Sequence, residues 1–185
     1  VSEAIKFFDG ILGEVAQGIH TCMLGKVNKF DHKKMKAEVI PLHKRRLANG
    51  QAIEYPLLLE VPVAFFYANG FFIRPPYQKG DLVVVVFADS EIDKILMSGG
   101  KESPNSERRH ALTDAIVVGG WQKFTEELPI SDSNVDDMVI SNKDTSFSII
   151  IQKDGAIELK SKKSIGIKSD ENITISGPTQ TSSWE

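Results

Sequence analysis

Four apolar pairs stand near the C-terminus, Ile149/Ile151, Ile157/Leu159, Ile165/Ile167 and Ile173/Ile175, and their first members follow one another at intervals of eight residues. Within a pair the two apolar residues are split by one other residue. That is the strand period, in which every second side chain faces the same side. Turn-forming or charged segments separate the pairs: residues 152–156, 160–164 and 168–172. A repeat this short constrains the fold severely. One apolar pair per eight residues leaves a single chain almost nothing to wind around, and an isolated ribbon is marginal in water with open edges that invite pairing. The economical solution is a core shared by identical chains. Three copies wound together turn each pair inward against its equivalents and close the sheet edges. A four-stranded antiparallel meander lying on the rest of the chain also accounts for the alternation, but supplies no reason for the interval to stay fixed.

A chain of 185 residues can hold one medium domain or two small ones, each with a real core. Its 22 basic and 25 acidic residues nearly balance, for a net charge of −3, so there is no broad basic field for tracking a phosphate backbone. The single cysteine, Cys22, excludes an intrachain disulfide and most cysteine-based metal sites, and reads as a small buried apolar residue. No export signal is evident in the first residues, where Glu3, Lys6 and Asp9 interrupt the apolar positions. The longest uncharged stretch, Val61 to Ile73, contains Pro62 and Gly70 and is too short to span a bilayer. The expectation is a chain made in a bacterial cytoplasm without a signal peptide.

Along the chain, residues 3–19 read as an amphipathic helix, because Ile5, Phe8, Leu12, Val15 and Ile19 are spaced 3, 4, 3, 4. Gly10, Gly13 and Gly18 make it dependent on packing. It either covers the following domain or docks on a partner or on its own copies. Residues 21–100 read as a small barrel. His20–Lys29 and Met35–His43 flank a turn, and Ala52–Val61 forms a strand with Ile53, Tyr55, Leu57, Leu59 and Val61 on one face. Phe65, Phe66, Phe71 and Phe72 flank an Asn69-Gly70 turn. The run Leu82–Ala88 suits a strand covered on both faces. About five strands with irregular spacing suit a closed barrel of the oligonucleotide/oligosaccharide-binding (OB) type. Ser90 and Asp93 give a capping-box-like start to a short helix that Gly99-Gly100 ends. Residues 101–146 read as a connector, with a turn and strand over 110–121 and an acidic linker over 122–143. The octads occupy 147–178, and 179–185 form a polar tail apart from Trp184.

This order resembles the central, membrane-puncturing spike proteins of contractile phage tails and phage-tail-like bacteriocins, specifically those with an N-terminal OB-fold. The likeness is carried by Gly25-Lys26-Val27-Asn28-Lys29-Phe30-Asp31, by Lys79-Gly80-Asp81 with the apolar run to Asp89, by Arg108-Arg109-His110-Ala111-Leu112-Thr113-Asp114-Ala115-Ile116, and by the octads. The resemblance implies an all-β homotrimer: N-terminal helix, OB barrel, then a short intertwined triple-stranded β-helix cored by Ile149, Ile151, Ile157, Leu159, Ile165, Ile167, Ile173 and Ile175. It further implies a component of a virion or phage-tail-like particle, seated in the baseplate below a hub protein. There it acts as a passive, rigid spike driven through the target cell envelope when the sheath contracts.

Many members of that family end in a His-x-His motif that binds a tip iron. Here the histidines are His20, His32, His43 and His110, all upstream of the repeat. No such iron, and no cofactor, is expected. The point is then either blunt or capped by another polypeptide. Trp184 is a candidate cap-binding residue if it does not simply belong to a polar tail.

Catalysis is not expected either. The connector is too short for a peptidoglycan-cleaving insert, and Asp132, Asp136 and Asp137 read as solvated loop carboxylates rather than the carboxylate pair of a glycosidase, about 5–10 Å apart. Two other functions fit parts of the chain. A trimeric receptor-binding or tail-fibre-type protein keeps the trimer and changes its role. An OB-fold nucleic-acid binder would stack bases on Phe65, Phe66, Phe71 and Phe72 and contact phosphates through Lys44-Arg45-Arg46. The charge balance and the habit of strand aromatics to lie in cores argue against the latter.

Overall fold

The computed structural model describes residues 3–47 and 49–177. Helix α1 (Glu3–Gly18) leads into strands β1 (Cys22–Asp31), β2 (Lys36–Pro41), β3 (Lys44–Arg46), β4 (Ala52–Glu54), β5 (Leu58–Pro62), β6 (Phe66–Ala68), β7 (Phe71–Ile73) and β8 (Leu82–Phe87). Helix α2 (Asp93–Ser98) and strands β9 (Ala115–Gly120), β10 (Met138–Ser141), β11 (Phe147–Ile151) and β12 (Ile157–Ser161) follow. The chain is mostly β and divides into two units, one ending at Lys123 and the other beginning at Phe124.

The first unit is built on a five-stranded sheet in the order β5-β2-β1-β8-β9, with every named pair antiparallel. Three bulges curl it. Asn28 is extra in β1 opposite β2, the residues between Leu58 and Val61 outnumber their partners on β2, and Val118 is extra in β9 opposite β8. Each extra residue bends its strand and increases the local twist. The result is a half-barrel whose outer strands meet through one parallel bridge, Val63 to Val117, beside which the Ala64 N–H donates to the Val117 carbonyl at 2.8 Å. The concave side holds the core: Met23, Val27, Ala37, Val39, Leu58, Val61, Val63, Val83, Val85, Phe87, Ala115 and Val117. Valine dominates because a β-branched side chain is already stiff and packs well on a pleated surface.

Several sequence expectations change against this frame. The Ala52–Val61 strand is two strands, broken at Tyr55-Pro56-Leu57, and its expected face is wrong: Leu58 and Val61 are buried while Ile53, Leu57 and Leu59 are exposed. The cause is the bulge, where Glu60 takes a positive φ of 55° and resets the alternation. Strand β8 is not covered equally on both faces, since Val83, Val85 and Phe87 are buried and Leu82, Val84 and Val86 only half-buried. Ser90 does not cap α2, whose N-cap is Ile92 with no side-chain hydrogen bond, whereas Gly99 does end the helix in the left-handed conformation. Cys22 is exposed rather than buried. The fifth strand of the sheet, β9, comes from the stretch expected to connect two domains.

The second unit contains a three-stranded antiparallel meander, β10-β11-β12. Strand β10 was expected to be linker; the Met138-Val139-Ile140 alternation is short and flanked by acids, which hides its period. Asp137 fixes the start of β10 to the β11–β12 turn. Its Oδ1 accepts from the Lys153 N–H at 3.0 Å and its Oδ2 from Asn134 Nδ2 at 2.8 Å, and these bonds hold its pKa below the usual carboxylate range. No described residue beyond β12, from 162 to 177, lies in a strand.

Candidate assembly surface

Register decides what the meander presents. Met138, Ile151 and Ile157 stand in one row across the three strands, and Ile140, Ile149 and Leu159 in the next. Phe147 lies on the same face by strand alternation. The opposite face carries Val139, Ser141, Ser148, Ile150, Glu158 and Lys160. Of all these, only Ile150 is buried, at 6% exposure. Four of the predicted core residues, Ile149, Ile151, Ile157 and Leu159, are therefore brought together on one apolar face, with Met138, Ile140 and Phe147 added by the structure. Ile165, Ile167, Ile173 and Ile175 follow outside any strand and are 53% to 71% exposed. A single chain thus leaves a long series of branched apolar side chains in water.

Two other apolar features belong to the first unit. Every described residue of α1 is exposed, Ile5, Phe7, Phe8, Ile11, Leu12 and Val15 among them, so this helix does not cover the following domain. Its exit is anchored: the His20 N–H donates to the His110 carbonyl at 3.1 Å, and the His20 ring packs against Tyr55 and Phe87. Burial, with the nearby charge of Arg45, lowers the His20 pKa. The second feature is the β6–β7 hairpin, turned by Asn69 and Gly70 with positive φ at both. Phe66, Tyr67, Phe71, Phe72 and Ile73 are 62% to 74% exposed, so these strand aromatics are surface, not core.

The segment between β8 and β9 is held by a charged clasp that sequence reading did not find. Asp114 is fully buried, and the Arg108 guanidinium grips it with two bonds, Nε to Oδ2 at 2.8 Å and an Nη to Oδ1 at 2.9 Å. The Ile92 N–H donates to the same carboxylate at 3.2 Å. Arg108 also bonds Asp93 at 2.8 Å. Burial opposes ionisation of Asp114, but these donors outweigh it and keep its pKa low. Glu91, also buried, accepts from the Asn105 N–H, Asn105 Nδ2 and Ser106 Oγ. Arg109 pairs with Asp89. Through Arg109 and Asp89 the clasp joins the stretch ending at Asp89 to the one opening at Arg108. Its sequence signal is thin: acids at Asp89, Glu91 and Asp93 precede or open α2 and Arg108 and Arg109 follow it, while the Arg108–Asp114 pair lies wholly beyond the helix.

The remaining candidates fall apart in space or into structural roles. Asp136 pairs with Lys153 at 3.1 Å, and Asp137 is occupied as described. Lys44, in exposed β3, pairs with Glu54 at 3.1 Å. Among the described residues no group of three His, Cys, Asp or Glu could hold a metal ion, and no helix is long and apolar enough to cross a membrane. Trp184 and the tail 179–185 lie outside the described residues.

Residues 23–120 match the family described as the phage protein Gp138 N-terminal domain. This stretch contains the curled sheet but for Cys22, the first residue of β1, and ends with β9 at Gly120. The chain belongs to that family and is a phage protein, of a kind that fits a structural component of the virion's tail or baseplate. No curated protein matches it.

Proposed function

We propose that this chain is the central spike of a contractile phage tail or phage-tail-like particle: a homotrimer, seated by its barrels below a baseplate hub and driven through the target envelope by the sheath. The observation that carries the reading is the run of octad pairs exposed on a single chain, downstream of a phage-family barrel. Isoleucines at 53% to 71% exposure over a fixed interval have a use only when something covers them, since burying each contributes about 1.5–3 kcal/mol. Three copies winding about one axis cover them all and leave Lys160, Lys162, Lys163, Lys168, Asp170 and Glu171 outside. In this arrangement the strands beyond β12 form between chains, which agrees with the described residues 162–177 lying outside any strand in one chain alone.

The five-stranded, bulge-curled and partly open barrel supports the OB assignment. Such a spike needs no catalytic group, because the work comes from the sheath and the shaft has only to resist buckling. No tip iron is part of the proposal. Light scattering tests it directly: a mass three times the 20.5 kDa chain is expected, and a stable monomer sinks the reading.

A further inference from the structure

We propose that α1 is the second trimerisation element, a three-stranded coiled coil made by the α1 helices of three copies of this chain; the inference rests on the trimeric reading above. A helix of 16 residues with Gly10 and Gly13 inside it is too short and too poor in propensity to persist alone in water. It gains no help from its own chain, because none of its described residues is buried. Something else must cover it, and its sequence says what. Within α1, Ile5, Phe8, Leu12 and Val15 repeat at 3, 4, 3, a spacing that a coiled-coil seam uses, and Ile19 continues it one residue past the helix. Gly10 and Gly13 fall on positions that point away from this seam.

The residue types select the number of strands. With Ile5 and Leu12 at the first core position of each heptad, a two-stranded coil favours leucine at the other, where this helix has Phe8 and Val15. Phe7 and Ile11 widen the apolar stripe on one side, as suits a helix with two neighbours. The seam residues Ile5, Phe8, Leu12 and Val15 are 51% to 65% exposed, so the whole seam is open to a second copy. The His20 anchor fixes where each helix leaves its barrel, so the three helices start from equivalent points.

The test uses the full chain with the exposed Cys22 replaced by serine. Leu12→Cys puts a thiol in the seam, and Gly10→Cys puts one outside it. Under mild oxidation the seam variant is expected to form disulfide-linked dimers at least ten-fold faster than the outer one. Light scattering on the same samples separates the two ideas. A trimer without seam-selective cross-linking overturns the coiled coil while leaving the spike reading intact, and means that α1 docks on a different protein, such as a hub. A monomer overturns both. In a second variant, Leu12→Asp, the helical circular-dichroism signal is expected to fall while the C-terminal repeat still holds the trimer; an unchanged helical signal overturns the inference.

Discussion

Gly25 shows how tightly the barrel core is drawn. A Cβ built there would stand 2.4 Å from Cγ1 of Val39, which is fully buried on a stiff β-branched side chain. Gly25→Ala is expected to cost about 1–3 kcal/mol of stability in urea unfolding by overpacking. The clasp gives a second residue-scale prediction. Arg108→Met leaves the buried Asp114 carboxylate without its charge partner, whereas Arg109→Met releases only the exposed Asp89. The first is therefore expected to lower the urea midpoint clearly more than the second. Its effect depends on pH in a defined direction. The folded pKa of Asp114 is depressed, so its contribution is complete above the unfolded value, about 3.9, and is lost as pH falls through the lower folded value. The gap between wild type and Arg108→Met is expected to narrow on acidification, beginning above about pH 4, because the variant's buried Asp114 without its main donor ionises less readily than in the unfolded chain.

Among elements, the β6–β7 hairpin and the meander differ in what exposure means for them. The hairpin's phenylalanines contribute little to the fold that carries them. Phe71→Ser and Phe72→Ser are expected to leave folding stability within about 0.5 kcal/mol, as substitutions away from packed features do, and urea unfolding checks this. Five exposed aromatic and aliphatic residues on so short a ribbon form an apolar patch, the usual mark of an interaction surface. In the meander, β11 is central and Ile150 is its single buried apolar residue, while six of the seven residues on the other face are exposed. The bulges of the first unit work at this scale too. Without the extra residue at Glu60, the sequence alternation of β5 would have put Leu59, not Leu58, inward.

For the whole molecule, the repeat is proposed to decide the assembly. Ile165→Asp and Ile167→Asp would each place three carboxylates around one shared axis, where burying charge is costly. Either is expected to weaken trimerisation in light scattering, and unchanged assembly in both would mean that these side chains do not face a common core. The surface charge is mixed, and Lys44 and Lys153 are already paired with acids. A salt series with single-stranded DNA distinguishes the spike from a nucleic-acid binder, because phosphate-driven affinity falls steeply with salt.

What the residues determined by themselves was whatever depends on local period. Strand alternation marked the octad pairs, an apolar run marked β8, and the flanks of a turn marked β1 and β2; the 3, 4, 3, 4 spacing marked α1; Asn69-Gly70 marked a hairpin; Gly99 marked a helix end. These are properties of a few consecutive dihedrals, and they can be read from neighbours in the chain. The tertiary structure decided what depends on residues far apart. It drew β9 into the half-barrel, brought Asp114 and Arg108 against Ile92 and Asp93 at the start of α2, and moved Leu58 inward by a bulge set against β2. It also added Met138 and Ile140 to the octad face by cross-strand register. None of these has a local signature, because each exists only once distant segments share a hydrogen-bond ladder or a buried charge. The exposed octads belong to both descriptions: their interval was legible at once, and only the single-chain fold made plain how much of their surface one chain leaves bare.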